Sequence, residues 1–393
     1  MQNPVIVGAV RTPIGKFMGT LASIPATKLG ALVVSEVVKR TGMKPDQVDE
    51  VILGNVVGAS LGQNPARQAA IHGGIPDTVP ATTVNMVCGS GLKAVMLAAQ
   101  AIKCGDAKVI VAGGMESMSR TPYLITGGRD GFRMGHQTVL DSMIHDGLWD
   151  SYNDFHMGRT GEIVAERYEV SREQQDEWAL GSHQKALAAI DANKFVKEIV
   201  PVEVPQRKKD PILFDTDEGP RRSTSIEALQ KLRPAFKKDG TVTAGNAPGV
   251  NDAAAAVVVT SAENARQLGW KPLAEIVAYT ASGLAPELVM MAPEKAIRAI
   301  WEQTGWKADD VDLYEINEAF AVQQVALGRV LGIPRERHNV WGGAVALGHP
   351  IGASGARVLI TLLHALEDRG LAQGIASLCL GGGNAVAMAV RRV

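Results

Sequence analysis

Apolar positions along this chain fall into two kinds of stretch, short continuous runs and longer runs at helical spacing, and the two alternate. Near the start, PVIVGAV is a compact apolar run broken by Arg11 and Pro13, which suits a first core strand better than the longer apolar region of a signal peptide. Further on, Leu92, Val95, Met96, Ala99 and Ile102 share one helical face, and the strand-like VIVAGGME follows. The same order returns near the other end. ASGARVLITLLHAL (353–366) aligns with GSGLKAVMLAAQAI (89–102), and IASLCLGGGN supplies a second strand ending in glycines. Ahead of these blocks, KRTGMKPDQVDEVILGN (39–55) matches EQTGWKADDVDLYEINE (302–318) in its Thr-Gly pair, lysine, aspartate and Val-Asp pair, all at one offset. Each copy reads strand, helix, strand, glycine-containing turn, buried helix, strand. That alternation predicts an α/β fold with a mostly parallel sheet, helices on its faces and a pseudo-twofold relation between the copies.

The pattern breaks between the copies. We expect an N-terminal half over 1–119 plus 244–268, an inserted loop domain over 120–243, and a C-terminal half over 269–393. Within the insertion, Ser171 and Gln174 form a capping-box signature for one long helix. VEVPQRKKDPILFDTDEGPRRSTS is polar and rich in proline and charge, and reads as exposed loop, either a plain connector or part of a cover over a site. TAGNAPGVNDAAAAVVVTS (243–261) returns to the buried style of the core.

Composition narrows the function classes. With 46% hydrophobic and 21% charged residues and a formal net charge of -1, the chain lacks the basic surplus of a nucleic-acid binder. No uninterrupted apolar run reaches the roughly 18 residues of a membrane span. Three cysteines without CxxC or Cys/His spacing argue for a reducing, cytoplasmic setting and against a disulfide framework or structural zinc.

The 42 glycines cluster where reactive side chains stand. Cys88, at the start of the helix marked by Leu92 and Val95, is placed where unpaired backbone N–H groups and the helix dipole favour a thiolate. Gly89 and Gly91 leave room for an incoming acyl group, and the alternative is a cysteine packed as a small hydrophobe. His349, between Gly348 and Pro350 just before a helix, reads as an exposed, rigid base or hydrogen-bond donor. Its glycines do not form G-x-G-x-x-G, which excludes a dinucleotide loop. Cys379 ends a strand ahead of Gly381 to Gly383, and the matching strand of the first copy, VAGGME, has no cysteine there. A second thiol beside a thiolate and a histidine can act as acid and base on a carbon acid, while glycine N–H groups hold an oxyanion. Cys104 in IKCGDAK looks like a helix-end residue.

NMVCGSGLKA, GNAPGVNDAAA, EINEAFA, GGAVALGHPIGASGAR and CLGGGNAVAM resemble, in order and over the whole chain, the signature blocks of the thiolase family. The resemblance implies the layered α-β-α-β-α thiolase fold with an inserted loop domain. It also implies acyl transfer by reversible Claisen condensation of two acetyl-CoA to acetoacetyl-CoA plus CoA, through an acyl-cysteine. Broad-range 3-ketoacyl-CoA thiolysis in fatty-acid degradation is the alternative, and a non-catalytic acyl-CoA-binding scaffold is a third reading that the intact cysteines and histidine oppose. By similarity, Cys88 is the nucleophile, His349 takes its proton, and Cys379 removes the α-proton of acetyl-CoA. One oxyanion hole resembles that of the Cys88 and Gly381 N–H groups. The other resembles that of His349 with a water held by Asn317, which could equally be a helix N-cap ahead of Ala319 and Phe320.

For CoA, the resemblance places His156 and Met157 at the pantetheine and acyl pocket and Arg221 or Arg222 near the nucleotide. Ala247 and Pro248 stand in GNAPG, where the family has GNASG, so one pantetheine contact is lost. VMMAPEK replaces a glycine-rich loop, with Met290 or Met291 filling the acyl space. Coenzyme A and acetyl-CoA are substrates and products here, with no permanently bound cofactor, no metal, no nucleic acid and no membrane partner expected. Family resemblance alone suggests a homo-oligomer, a dimer or tetramer.

Overall fold

The computed structural model describes residues 2–393. The first half runs β1 (Pro4–Arg11), β2 (Gly15–Lys16), α1 (Ala26–Thr41), β3 (Glu50–Gly54), α2 (Pro65–His72), β4 (Ala81–Val84), α3 (Ser90–Cys104) and β5 (Val109–Ser117). Two small hairpins follow, β6 (Tyr123–Ile125) with β7 (Val139–Asp141) and β8 (Trp149–Asp150) with β9 (Phe155–His156). Helices α4 (Gly158–Arg167) and α5 (Arg172–Asp191), strands β10 (Val202–Gln206) and β11 (Lys209–Phe214), and the short α6 (Ile226–Gln230) lead to β12 (Asn251–Ser261) and α7 (Ala262–Leu268). The second half is β13 (Ala274–Gly283), α8 (Ala292–Thr304), β14 (Leu313–Ile316), α9 (Ala321–Leu331), α10 (Ala344–Leu347), α11 (Ile351–Arg369), β15 (Gln373–Leu380) and β16 (Asn384–Arg392).

The large sheet runs β14-β15-β16-β13-β1-β12-β5-β3-β4, with β2 attached to β12. It is mixed, which corrects the mostly parallel sheet expected above. β3 pairs in parallel with β4 and β5, and β14 with β15, but every pairing from β15 through to β5 is antiparallel. Two connections impose this. The three residues Gly381–Gly383 join β15 to β16, a link too short for a parallel crossover, and Gly382 and Gly383 supply φ values of 80° and 85°. β12 returns from the insertion to lie between β1 and β5.

Side-chain alternation builds the layers. In β1, Ile6 faces a cluster shared with α3 and α11, whereas Val5 and Val7 face one shared with α1. Helices α3 and α11 pack on each other and on strands of both halves; α1 covers one outer face and α8 the other. The result is an α-β-α-β-α stack. α11 is buried all round from Ile351 to Leu363, as a central helix must be. The segment Val87–Cys104 is apolar and long enough by composition to cross a membrane, yet it is the core helix α3 with the turn before it.

The duplication reappears in detail. Asp49 Oδ2 accepts from the N–H groups of Lys108 and Val109, and Asp312 Oδ2 accepts from those of Ala372 and Gln373, so the repeated Val-Asp pair clamps the start of the following core strand in both halves. The capping box at Ser171 and Gln174 starts α5 as expected. The polar segment after it is not plain loop: β10 and β11 form a hairpin, and Asp217 beyond it binds Arg11 and the Ile14 N–H.

Candidate active site

The turn before α3 is strained. Val87 has φ +47°, a conformation that a β-branched residue rarely adopts and that costs on the order of 1 to 3 kcal/mol. Local bonds hold it. Val87 N–H donates to Asn85 Oδ1 at 3.0 Å, Met86 N–H to Ser90 Oγ at 2.9 Å, and Ser90 Oγ–H to the Val87 carbonyl at 2.6 Å. The next residue, Cys88, is half-buried and faces the cavity. α3 itself starts at Ser90 with Gly89 as N-cap, so Cys88 precedes the helix.

This changes its chemistry from the stabilised thiolate expected above. Burial pushes the Cys88 thiol up to about 12, the N–H groups of Gly381 and Cys88 pull it down, and the Glu116 carboxylate opposes ionisation. The resting group is a thiol that needs a base. The flanking glycines serve packing more than acyl access: a Cβ at Gly89 would strike Leu380, and one at Gly91 would lie 2.8 Å from the Ala356 nitrogen.

His349 stands in the equivalent turn of the other half. It is buried, at 7% exposure, against the expectation of an exposed imidazole, because the Gly-His-Pro turn is tucked beneath β12. Its N–H donates to Asn251 Oδ1 at 2.9 Å, and Asn251 donates to the Gly15 carbonyl. Gly348, at φ +113°, leaves the space that Asn251 occupies. Burial, with a smaller push from Arg357, lowers His349 to about 3, so the ring is neutral. Ser354 Oγ lies 2.6 Å from Nδ1 and donates its proton to the Pro350 carbonyl at 2.9 Å. The serine oxygen therefore accepts from Nδ1–H, and Nε2 is left as the basic nitrogen. Ser90 and Ser354, aligned in the two copies, each donate back to a carbonyl of the preceding turn, Ser90 to Val87 and Ser354 to Pro350.

Asn317 Nδ2 lies 3.5 and 3.4 Å from the two ring nitrogens of His349. It is not an N-cap: α9 begins at Ala321 after Phe320, with no side-chain cap bond. Cys379, buried near the end of β15, has its thiol pushed further up by burial and by Cys88 nearby, with Gln323 opposing. Glu116 ties the halves together, accepting from Asn55, Val56 and Val57 of one and from Gly352 at the start of α11 in the other. Burial raises its carboxyl to about 7.

Cys88, His349, Cys379 and Gly381 converge on one cavity of about 260 Å³. His156, Met157, Ala247 and Pro248 line it as well, with Val289 and Met290 closing one wall. His156 stacks on Phe236 at 4.8 Å, and its Nδ1 accepts from the Gly158 N–H. Met291 is wholly buried behind this wall. Arg221 and Arg222 are not in the cavity: Arg221 bonds through its backbone to His183, and Arg222 forks onto Asp191 at the surface. Cys104 ends α3, exposed, as its position suggests. Ser354, Asn251, Glu116 and Gln323 escaped sequence reading; the alignment of Ser354 with Ser90 was the one available signal for any of them.

A strained cysteine turn and a histidine turn from two duplicated halves, with a second cysteine at the end of a strand that runs into three glycines, define an acyl-transfer site of thiolase type. The chain belongs to the thiolase family: family models for the thiolase N-terminal domain and the thiolase C-terminal domain match residues 4–263 and 270–392. Among curated proteins it is similar to the acetyl-CoA acetyltransferase of Pseudomonas aeruginosa, 56% identical over 392 residues with 100% of each chain covered. It is also similar to a probable acetyl-CoA acyltransferase of Staphylococcus epidermidis, 53% identical with 100% of this chain and 99% of that one covered. Among solved structures it resembles the Bacillus anthracis acetyl-CoA acetyltransferase, with TM-score 0.98, 46% identity, and 100% and 99% coverage.

Proposed function

We propose that this thiolase is an acetyl-CoA acetyltransferase, which joins two acetyl-CoA into acetoacetyl-CoA plus CoA through an acetyl-Cys88 intermediate and runs the reverse thiolysis at the same site. The observation that carries this reading is the convergence of two un-ionised thiols and a neutral imidazole on an apolar-walled cavity of about 260 Å³.

Those protonation states give a cycle that closes. Cys88 passes its proton to His349 Nε2 as its sulfur attacks the acetyl-CoA carbonyl, and the Cys88 and Gly381 N–H groups hold the oxyanion. The C–S bond to CoA breaks, and the departing CoA sulfur takes the proton of Cys379. His349 is now an imidazolium whose Nε2–H, with a water held by Asn317, receives the next oxyanion, and Cys379 is now the base. Cys379 removes the α-proton of the second acetyl-CoA. The enolate carbon attacks acetyl-Cys88, the C–S bond breaks, and Cys88 recovers its proton from His349. Pantetheine is held along His156, Met157, Ala247 and Pro248. CoA thus enters and leaves as substrate and product.

The second reading, a broad-range 3-ketoacyl-CoA thiolase, draws support from the Val289–Met290 wall that replaces a glycine-rich loop, and from the acyltransferase relatives. Thiolysis rates for acetoacetyl-CoA and for six-, ten- and sixteen-carbon 3-ketoacyl-CoAs, with Cys88→Ala as control, decide between them. A steep fall beyond four carbons is expected. Comparable rates at ten carbons would overturn the acetyl-specific reading. We place the enzyme in the cytoplasm as a homo-oligomer, a dimer or tetramer; light scattering that gives a monomer would refute the assembly.

A further inference from the structure

Gln323 sits in the first turn of α9, wholly buried. Its Oε1 is committed twice, accepting from the Ala319 N–H and from Gln324 Nε2, both at 3.1 Å. Gln324 Nε2 in turn donates to the Asn317 carbonyl at 2.7 Å. These bonds fix the amide orientation and leave Gln323 Nε2 buried with no hydrogen-bond partner. A buried, unpaired donor costs about 1 to 3 kcal/mol, so its place calls for a reason.

The ionisable group on which the Gln323 side chain bears is the Cys379 thiol, whose charged form it favours, and no bond to the sulfur is made in the resting enzyme. A neutral thiol is a weak acceptor, whereas a thiolate is a strong one. We propose that Gln323 Nε2 is the preorganised donor that stabilises the Cys379 thiolate, and that the Asn317–Gln324–Gln323 chain links this donor rigidly to the oxyanion group Asn317. This rests on the acyltransferase reading, in which Cys379 ionises when CoA departs. Burial opposes that charge, Cys88 being acetylated and neutral by then; the Gln323 amide and the Cys379 N–H favour it. Glu116 acts on the neighbouring Cys88. The donor is unpaired in the resting enzyme and becomes paired when the charge forms, which is the differential binding that catalysis requires.

The test uses the full-length protein with Gln323→Glu, which keeps the acceptor for Ala319 and Gln324 while replacing the donor by oxygen, and Gln323→Leu, which removes both. Alkylation of Cys379 by iodoacetamide is followed by peptide mass spectrometry across pH 7 to 9 in a Cys88→Ala background, with exposed Cys104 as internal control. Below its pKa a thiol reacts in proportion to its thiolate fraction, so a shift of about one pH unit slows Cys379 about tenfold at fixed pH and leaves Cys104 unchanged. In the chain that retains Cys88, condensation kcat falls about 100-fold with little change in KM. A loosened structure would expose Cys379 and speed its alkylation, the opposite sign. Unchanged or faster alkylation in both variants overturns the proposal. If the unmutated enzyme formed no acetyl-Cys88 from acetyl-CoA, the acyltransferase reading would fall, while the alkylation rates would still decide the Gln323 contact.

Discussion

Replacing Ser354 with alanine removes one oxygen and isolates what keeps Nε2 of His349 free to accept a proton. Ser354 Oγ is 2.6 Å from Nδ1, and its own proton is committed to the Pro350 carbonyl. Without that oxygen the buried Nδ1–H has no acceptor, a penalty of about 1 to 3 kcal/mol. The neutral ring relieves it by moving the proton to Nε2, which disables the base. If the penalty falls wholly on the reactive tautomer, acetylation of Cys88 slows about 5- to 150-fold, at about 1.4 kcal/mol per factor of ten. The assay is the single-turnover rate of CoA release from acetyl-CoA, with steady-state thiolysis beside it. KM should hold, since the cavity walls are untouched. An acetylation rate equal to that of the unmutated enzyme would refute the tautomer assignment.

Three further outcomes are expected. Gly355→Ala drives a Cβ into the Leu92 nitrogen where α3 and α11 cross, and should cost about 1 to 3 kcal/mol, read as a lower urea midpoint; an unchanged midpoint would show that the helices can move apart. Met290→Ala removes part of the cavity wall and should raise the rate on six-carbon relative to four-carbon 3-ketoacyl-CoA about tenfold or more, whereas an unchanged ratio would place the chain-length limit elsewhere. In pH-dependent unfolding, His338 and His349 are held at about 3 and His183 at about 4, so the unfolded chain takes up protons that the native state refuses, and stability falls as pH drops below 6.5. Glu116 and Glu315, raised to about 7, act oppositely: they contribute stability at low pH that is lost as pH rises from 4.5 through 7. Between 6.5 and 4.5 the two carboxyls offset two of the three histidines and leave a slope of about 1.4 kcal/mol per pH unit; below 4.5 all three histidines act at about that slope each until their native pKa values are reached. Glu166, Glu173, Asp191 and Glu227, whose carboxyls are held below their usual range, add to the loss below 4.5. Tm should therefore drop steeply only below that point, and a uniform slope from neutrality would contradict the burial assigned to the two carboxyls.

Much of the site was legible because its chemistry needs unusual residues in unusual company. Cys88 and His349 each stand beside glycine or proline, Cys379 stands two residues before a run of three glycines, and such company is visible without knowledge of the fold. Ser354, Glu116 and Gln323 are common residues in ordinary helix or strand positions, and what makes them matter is a partner reached through folding. Glu116 meets Gly352 across 236 residues. The burial of His349 was misread for the same reason, since Gly-His-Pro looks like surface until β12 covers it. The duplication exposed the pseudo-twofold relation of the halves and the repeated Val-Asp pair. The antiparallel centre of the sheet depended on where β12 returns after the long insertion, and no local pattern records that.

The crossing of α3 and α11 carries a consequence for how such a protein could arise. The turns that lead into both helices reach the same cavity, one delivering Cys88 and the other His349. In the register that pairs Ser90 with Ser354, Cys88 falls opposite Gly352 and His349 opposite Asn85, so the two groups hold different positions of equivalent turns. Each half keeps one of the pair and has lost or never gained the other, and fusing the copies into one chain lets each turn keep its own choice. The site is accordingly assembled once in each chain, although its scaffold is built twice.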